Sequence, residues 1–345
     1  MRNVKKVKIG GLEFGGEKIY IQSMLNTPAD DITGSVAQAK ALEAAGCELI
    51  RAAVPRVEDA PLIAALKNSV NVPIVADIHF DYKIALACVE EGVDKVRINP
   101  GNIGGVENVR AVADACRENH VPIRIGVNSG SLEKKLLAKY GRPTPEALTE
   151  SALGHVKLLN DADFDDIVIS IKSSNVELMI AAYRLLSQQT DYPLHLGITE
   201  AGTERMGLIK SAIGIGSLLC DGIGETIRVS LTADPIREVY AAKDILKACG
   251  KESGVEIVSC PTCGRTKIDL ISLANKVEEM LKDVNKPIKV AVMGCAVNGP
   301  GEAREADIGV AGGNGEGLIF KKGEILRKVP ENMILSELKK EIDMI

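Results

Sequence analysis

The chain has 345 residues, 46% of them hydrophobic, and a formal net charge of −5. That length suits two domains better than one core, and the acidic balance excludes a nucleic-acid or membrane-surface role driven by bulk charge. Aromatics make up only 3% and Trp is absent, so Val, Ile, Leu and Ala must do the packing.

The first residues, Met1-Arg2-Asn3-Val4-Lys5-Lys6, are basic, but no apolar run of signal-peptide type follows them. The longest other apolar candidate, 211–220, is broken by Gly214 and Gly216 and is too short to span a bilayer. The expectation is a cytoplasmic protein with no membrane or nucleic-acid partner and with reduced thiols.

Residues 7–20 place Gly10-Gly11 and Gly15-Gly16 around short apolar stretches, which predicts a hairpin ahead of the main fold. Eight strand candidates follow, at 19–25, 49–54, 73–78, 95–99, 122–127, 166–171, 194–199 and 226–231. Most are apolar at consecutive positions, as parallel strands covered on both faces are. Helical stretches lie between them at 35–45, 60–67, 84–91, 106–119, 146–161, 176–188 and 205–219. Two units share a phrase: Glu43-Ala44-Ala45-Gly46 leads to Arg51, and Val89-Glu90-Glu91-Gly92 leads to Arg97. In each, the glycine can close a helix in the left-handed conformation before the next strand. The rhythm is that of an α/β TIM (β/α)8 barrel over residues 1–250, with a doubly wound open sheet as its competitor.

Catalysis in such a barrel collects where strands end and loops begin. Those positions hold Arg51, Asp77, His79, Arg97, Asn99, Arg124, Asn128, Lys172, Thr199, Glu200, Arg228 and Ser230. Alternation puts Asp77 with His79, Arg97 with Asn99, and Arg228 with Ser230 on one face. So much positive charge at one mouth is costly unless an anion neutralises it, and Arg suits paired phosphate oxygens. The mouth therefore reads as a site for a small, multiply charged anion, most simply a diphosphate. Glu200 is the acid among these cations and the acid/base candidate, with a structural ion pair as the alternative. His120, His155 and His195 lack comparable company and receive no role.

Past a helix at 235–248 and a linker at 250–254, the pattern changes. Strands at 255–258, 288–292, 307–311, 317–320 and 324–328, with helices at 266–282 and 335–344, predict a small α+β domain over 255–345. Its first two strands lead into Ser259-Cys260-Pro261-Thr262-Cys263-Gly264-Arg265 and Gly294-Cys295-Ala296-Val297-Asn298-Gly299-Pro300-Gly301-Glu302. Two thiolates from one tight loop and a third from another can share a metal, and Glu302 is the nearest hard ligand. On residues alone the set suits a [4Fe–4S] cluster with one unusual iron, or a zinc, with a chance spacing or a redox pair as the plainer alternative. Cys47, Cys88, Cys116, Cys220 and Cys249 read as buried small hydrophobes beside apolar helices.

These stretches, with Ile21-Gln22-Ser23-Met24, Ala76-Asp77-Ile78-His79-Phe80, Arg97-Ile98-Asn99-Pro100-Gly101-Asn102, Arg124-Ile125-Gly126-Val127-Asn128 and Gly197-Ile198-Thr199-Glu200-Ala201-Gly202, resemble the 4-hydroxy-3-methylbut-2-enyl diphosphate synthase family of the methylerythritol phosphate route to isoprenoids. The resemblance covers nearly the whole chain and is to the two-domain bacterial type. It implies a [4Fe–4S] cluster on Cys260, Cys263, Cys295 and Glu302. It also implies 2-C-methyl-D-erythritol 2,4-cyclodiphosphate in the mouth, gripped by Arg51, His79, Arg97, Arg124, Lys172 and Arg228 and lined by Asp77, Asn99, Asn128, Thr199 and Ser230. Electrons would come from a flavodoxin or ferredoxin. Glu200 would give a proton to the departing oxygen, and Glu302 would be the weaker, exchangeable ligand. Because the helix at 235–248 carries the chain away from the mouth before a short linker, the expected assembly is a homodimer with active sites shared between chains. The competing readings are a barrel synthase with a structural zinc, and a diphosphate-binding iron–sulfur sensor or electron carrier. Radical chemistry on S-adenosylmethionine is disfavoured, since no C-x3-C-x2-C loop exists.

Overall fold

The computed structural model of the chain describes residues 2–282, 284, 286–296, 301 and 303–345. They divide into two compact units, Met1–Lys251 and Glu252–Ile345.

The first unit opens with a hairpin, β1 (Val7–Ile9) and β2 (Leu12–Phe14). Eight parallel strands follow: β3 (Tyr20–Met24), β4 (Leu49–Ala53), β5 (Ile74–Asp77), β6 (Lys95–Ile98), β7 (Ile123–Asn128), β8 (Ile167–Lys172), β9 (His195–Leu196) and β10 (Thr226–Ile227). Their order is β8-β7-β6-β5-β4-β3-β10-β9, and a parallel bridge between Ile169 and Leu194 joins the two ends. This is the closed barrel expected from the sequence, not an open sheet. Around it stand α1 (Ile32–Ala44), α2 (Pro61–Lys67), α3 (Tyr82–Glu90), α4 (Val106–Glu118), α5 (Lys134–Tyr140), α6 (Pro145–Asn160), α7 (Val176–Ser187), α8 (Glu204–Cys220) and α9 (Pro235–Ala248).

The predicted helix–glycine–strand phrases hold: Gly46 has φ +91° and Gly92 φ +79°, closing α1 and α3 in the left-handed region. Other elements differ from expectation. β9 and β10 are two-residue strands, because the residues after them turn aside to build the cleft instead of continuing the ladder. The loop after β7 folds a helix of its own, α5, before α6. Cys47, Cys88 and Cys116 are buried as expected, whereas Cys220 is exposed and Cys249 half-buried at the ends of α8 and α9.

Strand register sorts the barrel residues. Apolar side chains such as Ile50, Ile74, Val96, Ile123 and Ile167 pack against the helices in the main core. The alternate residues point into the lumen. At its lower end the lumen is filled by Tyr20, Leu49, Val75 and Val168, on which Val7, Ile9 and Phe14 of the hairpin close. The hairpin is thus a floor for the barrel. Above that apolar layer the lumen turns polar.

The second unit is a five-stranded sheet in the order β11 (Glu256–Ser259), β12 (Lys289–Met293), β13 (Ile308–Gly312), β14 (Glu316–Lys321), β15 (Glu324–Pro330). The first three run parallel, and β13, β14 and β15 are antiparallel neighbours. Helices α10 (Leu270–Leu281) and α11 (Ile334–Asp343) cover one face through Leu270, Val277, Leu281, Ile334, Leu338 and Ile342. The α10 region starts four residues later than expected, at an N-cap where Asp269 accepts from the Ser272 amide.

Candidate active site

Above the apolar floor, neighbouring strands aim Arg51, Lys95, Arg97, Arg124, Lys172 and Arg228 into one lumen. All belong to the alternate, inward-pointing set: Arg51 lies level with Met24 and Val75, Arg97 with Asp77 and Arg124, and Lys172 with Asn128. Against these cations stand two carboxylates. Asp77 is buried, pairs with Arg51, and lies 3.1 Å from Arg97 Nη1 and 3.1 Å from His79 Nε2. Burial pushes its pKa up, but Arg51, His79 and Arg97 outweigh burial and hold it well below the carboxylate range. Glu238, in the first turn of α9, is buried, accepts hydrogen bonds from Ser23 Oγ (3.0 Å) and the Leu231 amide (3.0 Å), and lies 3.7 Å from Arg228 Nε.

The remaining positive charge is unanswered. Arg124 is fully buried, and none of its Nε, Nη1 and Nη2 atoms has a hydrogen-bond partner among the described residues. Arg51, Arg97 and Arg228 each leave Nε unpartnered as well. Buried donors in native proteins find partners, and an arginine keeps its proton, so these groups call for an anion or ordered water. Burial, with Arg51, Arg97 and Arg124 nearby, pushes the Lys172 ammonium down to about 5.

An open cleft lies over this cluster, lined by Arg51, Lys172, His195, Thr199, Arg228 and Ser230 among others. Arg51, Lys172, Thr199, Arg228 and Ser230 of the sequence-derived set thus meet at one cavity, with Asp77, Arg97 and Arg124 in the lumen beside it. His79 is more exposed, its side chain retaining 57% of its accessible surface. Asn99 and Asn128 spend their Oδ1 atoms on the amides of Gly101 (3.1 Å) and Gly130 (3.0 Å), shaping the loops after β6 and β7. Glu200 is exposed beyond Thr199 with φ +52°, a left-handed conformation rare for a non-glycine residue and typical of functional loops.

The sequence reading passed over three residues of this site. His195 lines the cleft, is 4% exposed, and leaves Nδ1 without a partner. Lys95 is fully buried in the lumen with Nζ unpartnered. Glu238 braces Arg228. Lys95 and His195 lie on the predicted strands that yielded Arg97 and Thr199, two residues before Arg97 and four before Thr199, inside runs that read as apolar.

In the second unit, Cys260 follows β11 and Cys295 follows β12, neighbouring parallel strands joined at Ser259 and Val292. Cys260 and Cys295 are half-buried and Cys263 is exposed, all as free thiols. The Gly294 amide donates to Cys260 Sγ at 3.2 Å, and a Cβ on Gly294 would meet Thr266 Oγ1 at 2.9 Å. Hydrogen bonds from the Arg265 backbone and side chain pull the Cys263 thiol pKa down, favouring the thiolate that binds metal. Among the described residues, no group of three or more His, Cys, Asp and Glu stands close enough to hold a metal ion. Glu302, the expected fourth ligand, lies outside the described residues. The donor set, soft sulfurs with amide donors aimed at them, suits an iron–sulfur cluster.

A TIM barrel with a cationic, acid-poor lumen, joined to an α+β unit bearing thiols at its strand ends, defines a class: a barrel for small phosphorylated anions with an appended thiolate domain. Residues 4–243 match the GcpE TIM-barrel domain and residues 256–344 the GcpE protein C-terminal domain, and the chain belongs to the GcpE family. It is 60% identical to a Clostridium perfringens protein named 4-hydroxy-3-methylbut-2-en-1-yl diphosphate synthase (flavodoxin), over 100% of this chain and 99% of that one. Relatives of the same name from Clostridium acetobutylicum (60% identity, 98% of each chain) and Fusobacterium nucleatum (56%, 99% and 97%) agree. Among solved structures, dihydropteroate synthases from Stenotrophomonas maltophilia (TM-score 0.53, 16% identity, 70% of this chain and 96% of that one) and Coxiella burnetii (0.53, 13%, 71% and 97%) share the barrel fold alone. Among the described residues no helix is long and apolar enough to cross a membrane.

Proposed function

We propose that the chain reductively opens and dehydrates 2-C-methyl-D-erythritol 2,4-cyclodiphosphate to (E)-4-hydroxy-3-methylbut-2-enyl diphosphate. Family membership at 56–60% identity over essentially the full length supports this reading. The observation that carries it is the fully buried, unpartnered Arg124 guanidinium among other cations beneath the cleft. Ionised, the substrate is a dianion, and with two electrons and one proton it gives the product trianion and one water. Negative charge therefore grows during turnover, and preorganised cations favour the more charged state.

Within this reading Arg51, Arg124, Lys172 and Arg228 bind the diphosphate oxygens, with Arg97 and His79 at its edge. Asp77 fixes Arg51 and Arg97 in place and is not itself in need of a proton. Asn99, Asn128, Thr199 and Ser230 complete the lining with neutral hydrogen bonds. Glu200, on its strained turn, donates the proton to the departing hydroxyl oxygen. Cys260, Cys263, Cys295 and Glu302 would hold a [4Fe–4S] cluster, which when bound supplies single electrons and Lewis acidity. The electron donor is a small redox protein of the flavodoxin or ferredoxin type, the former being in the relatives' names. The assembly is a homodimer with active sites shared between chains, working in the cytoplasm.

The test is anaerobic: purified protein should show the broad visible absorption of an iron–sulfur cluster and, with reduced flavodoxin, convert the cyclodiphosphate to the allylic diphosphate. A colourless zinc protein would sink the reading, as would a cluster-loaded protein that binds the cyclodiphosphate without turning it over.

A further inference from the structure

Lys95 is out of place by ordinary rules. It is 0% exposed, and its Nζ has no hydrogen-bond partner among the described residues. Its surroundings come from five elements. Below it is the Phe14 ring of the hairpin, 5.4 Å from Nζ, whose π face attracts an ammonium weakly but accepts no full hydrogen bond. Level with it on β5 is Val75. Arg124 on β7 and Arg51 on β4 are its charged neighbours, and both oppose a positive charge on it. His195 on β9, in the cleft wall, feels the charges of both Arg124 and Lys95. The lumen's carboxylate, Asp77, is already shared by Arg51, Arg97 and His79. No acid forms an ion pair with Lys95 among the described residues.

A buried ammonium with no acceptor, beside two guanidiniums that cannot give up their protons, is the group that must yield its own. Arg51 and His195 connect it to the cleft, since both line that cavity. An anion there opposes the field of those guanidiniums and so favours a proton on Lys95.

We propose that Lys95 is a proton-storing residue of the site: it is an uncharged amine while the cleft is empty and becomes an ammonium when a doubly charged cyclic diphosphate fills the cleft. The inference rests on the substrate reading given above. The step is a simple protonation, with the proton taken from solvent and no electrons moved. Its use is charge balance. The protein avoids a surplus of buried cations before binding, yet meets the dianion, and later the more highly charged product, with one more positive charge. Lys172 and His195, both on the cleft wall, can take a proton in the same way, so wild-type protein has up to three protons to gain.

The cyclodiphosphate is a good probe because each of its phosphates loses its single acidic proton far below neutrality. Proton uptake between pH 6 and 9.5 therefore belongs to the protein. Binding to the cluster-loaded, oxidised protein is measured by anaerobic calorimetry in buffers of different ionisation enthalpy, whose slope counts protons. Wild-type protein should take up between one and three protons. In the window between the free and bound pKa of the amines, its apparent Kd should rise by up to tenfold per pH unit and per proton, because uptake fails as solvent protons become scarce. Lys95→Met should still bind, with about one proton fewer, and should melt at a higher temperature than wild type when free. Lys172→Met should retain the Lys95 proton. Equal uptake in wild type and Lys95→Met overturns the proposal, and Lys95→Gln serves the same comparison if the methionine variant does not fold. Binding without any buffer dependence in wild type overturns it alone, while absence of binding overturns the substrate reading together with it.

Discussion

Arg97 donates from Nη1 to Asp77 (3.1 Å) and leaves Nε unpartnered, whereas Glu200 stands exposed on a left-handed turn. The two should fail in different ways. Arg97→Ala removes a charge-assisted contact, so affinity for the cyclodiphosphate should fall by about 1.5–3 kcal/mol. Glu200→Gln should bind nearly as well and lose turnover. Equal losses of affinity in calorimetry would make Glu200 a binding residue and remove it from proton transfer. Lys172 gives a second test, this time on stability. Its folded pKa is about 5, against about 10.4 unfolded. Between those values the unfolded chain holds a proton that the folded chain does not, so stability should rise with pH across this window. Lys172→Met should flatten that rise in thermal melts at pH 6, 7.5 and 9. A variant whose melting temperature tracks wild type at each pH would show that Lys172 is charged in the free protein.

At the scale of elements, the site depends on how closely β6 and β7 approach. A Cβ on Gly126 would lie 2.5 Å from Arg97 Nε and Nη2, so the guanidinium keeps this position only while β7 carries no side chain there. Gly126→Ala should push Arg97 off Asp77 and weaken substrate affinity about tenfold or more, with the melting temperature lowered by only a few degrees. Wild-type affinity in this variant would mean that Arg97 is free to move and contributes no fixed contact. Much of this arrangement was legible in the sequence. Strands such as 95–99 announce themselves by apolar runs, and their polar inward positions end in Arg97 and Asn99 at the mouth. The glycine phrases at Gly46 and Gly92 mark helix ends because left-handed backbone is costly for other residues. What the sequence hid follows from the same rule. Lys95 and His195 sit inside runs that read as apolar strand, and a charged residue there looks like a solvated one until the barrel closes around it. Neither did the periodicity show that β9 and β10 would stop after two residues, since Ile198, Val229 and Leu231 keep an apolar alternation beyond them.

At the scale of the whole molecule, the question is which chain supplies the electrons to a given cleft. The barrel ends with α9, whose 14 residues carry the chain about 20 Å at 1.5 Å per residue, from the cleft end of the strands back toward the hairpin floor. The second unit begins almost at once, at Glu252. In the proposed shared-site homodimer, each cleft would be served by the other chain through one self-complementary contact. The expected outcome is specific. Mixing a Glu200→Gln chain with a Cys295→Ala chain and isolating the mixed dimer should yield one complete site in two, an intact barrel served by an intact cluster domain, with activity near half that of wild type. If each chain used its own cluster, both sites of the mixed dimer would be dead, and a verified mixed dimer with no recovered activity would refute the shared-site assembly.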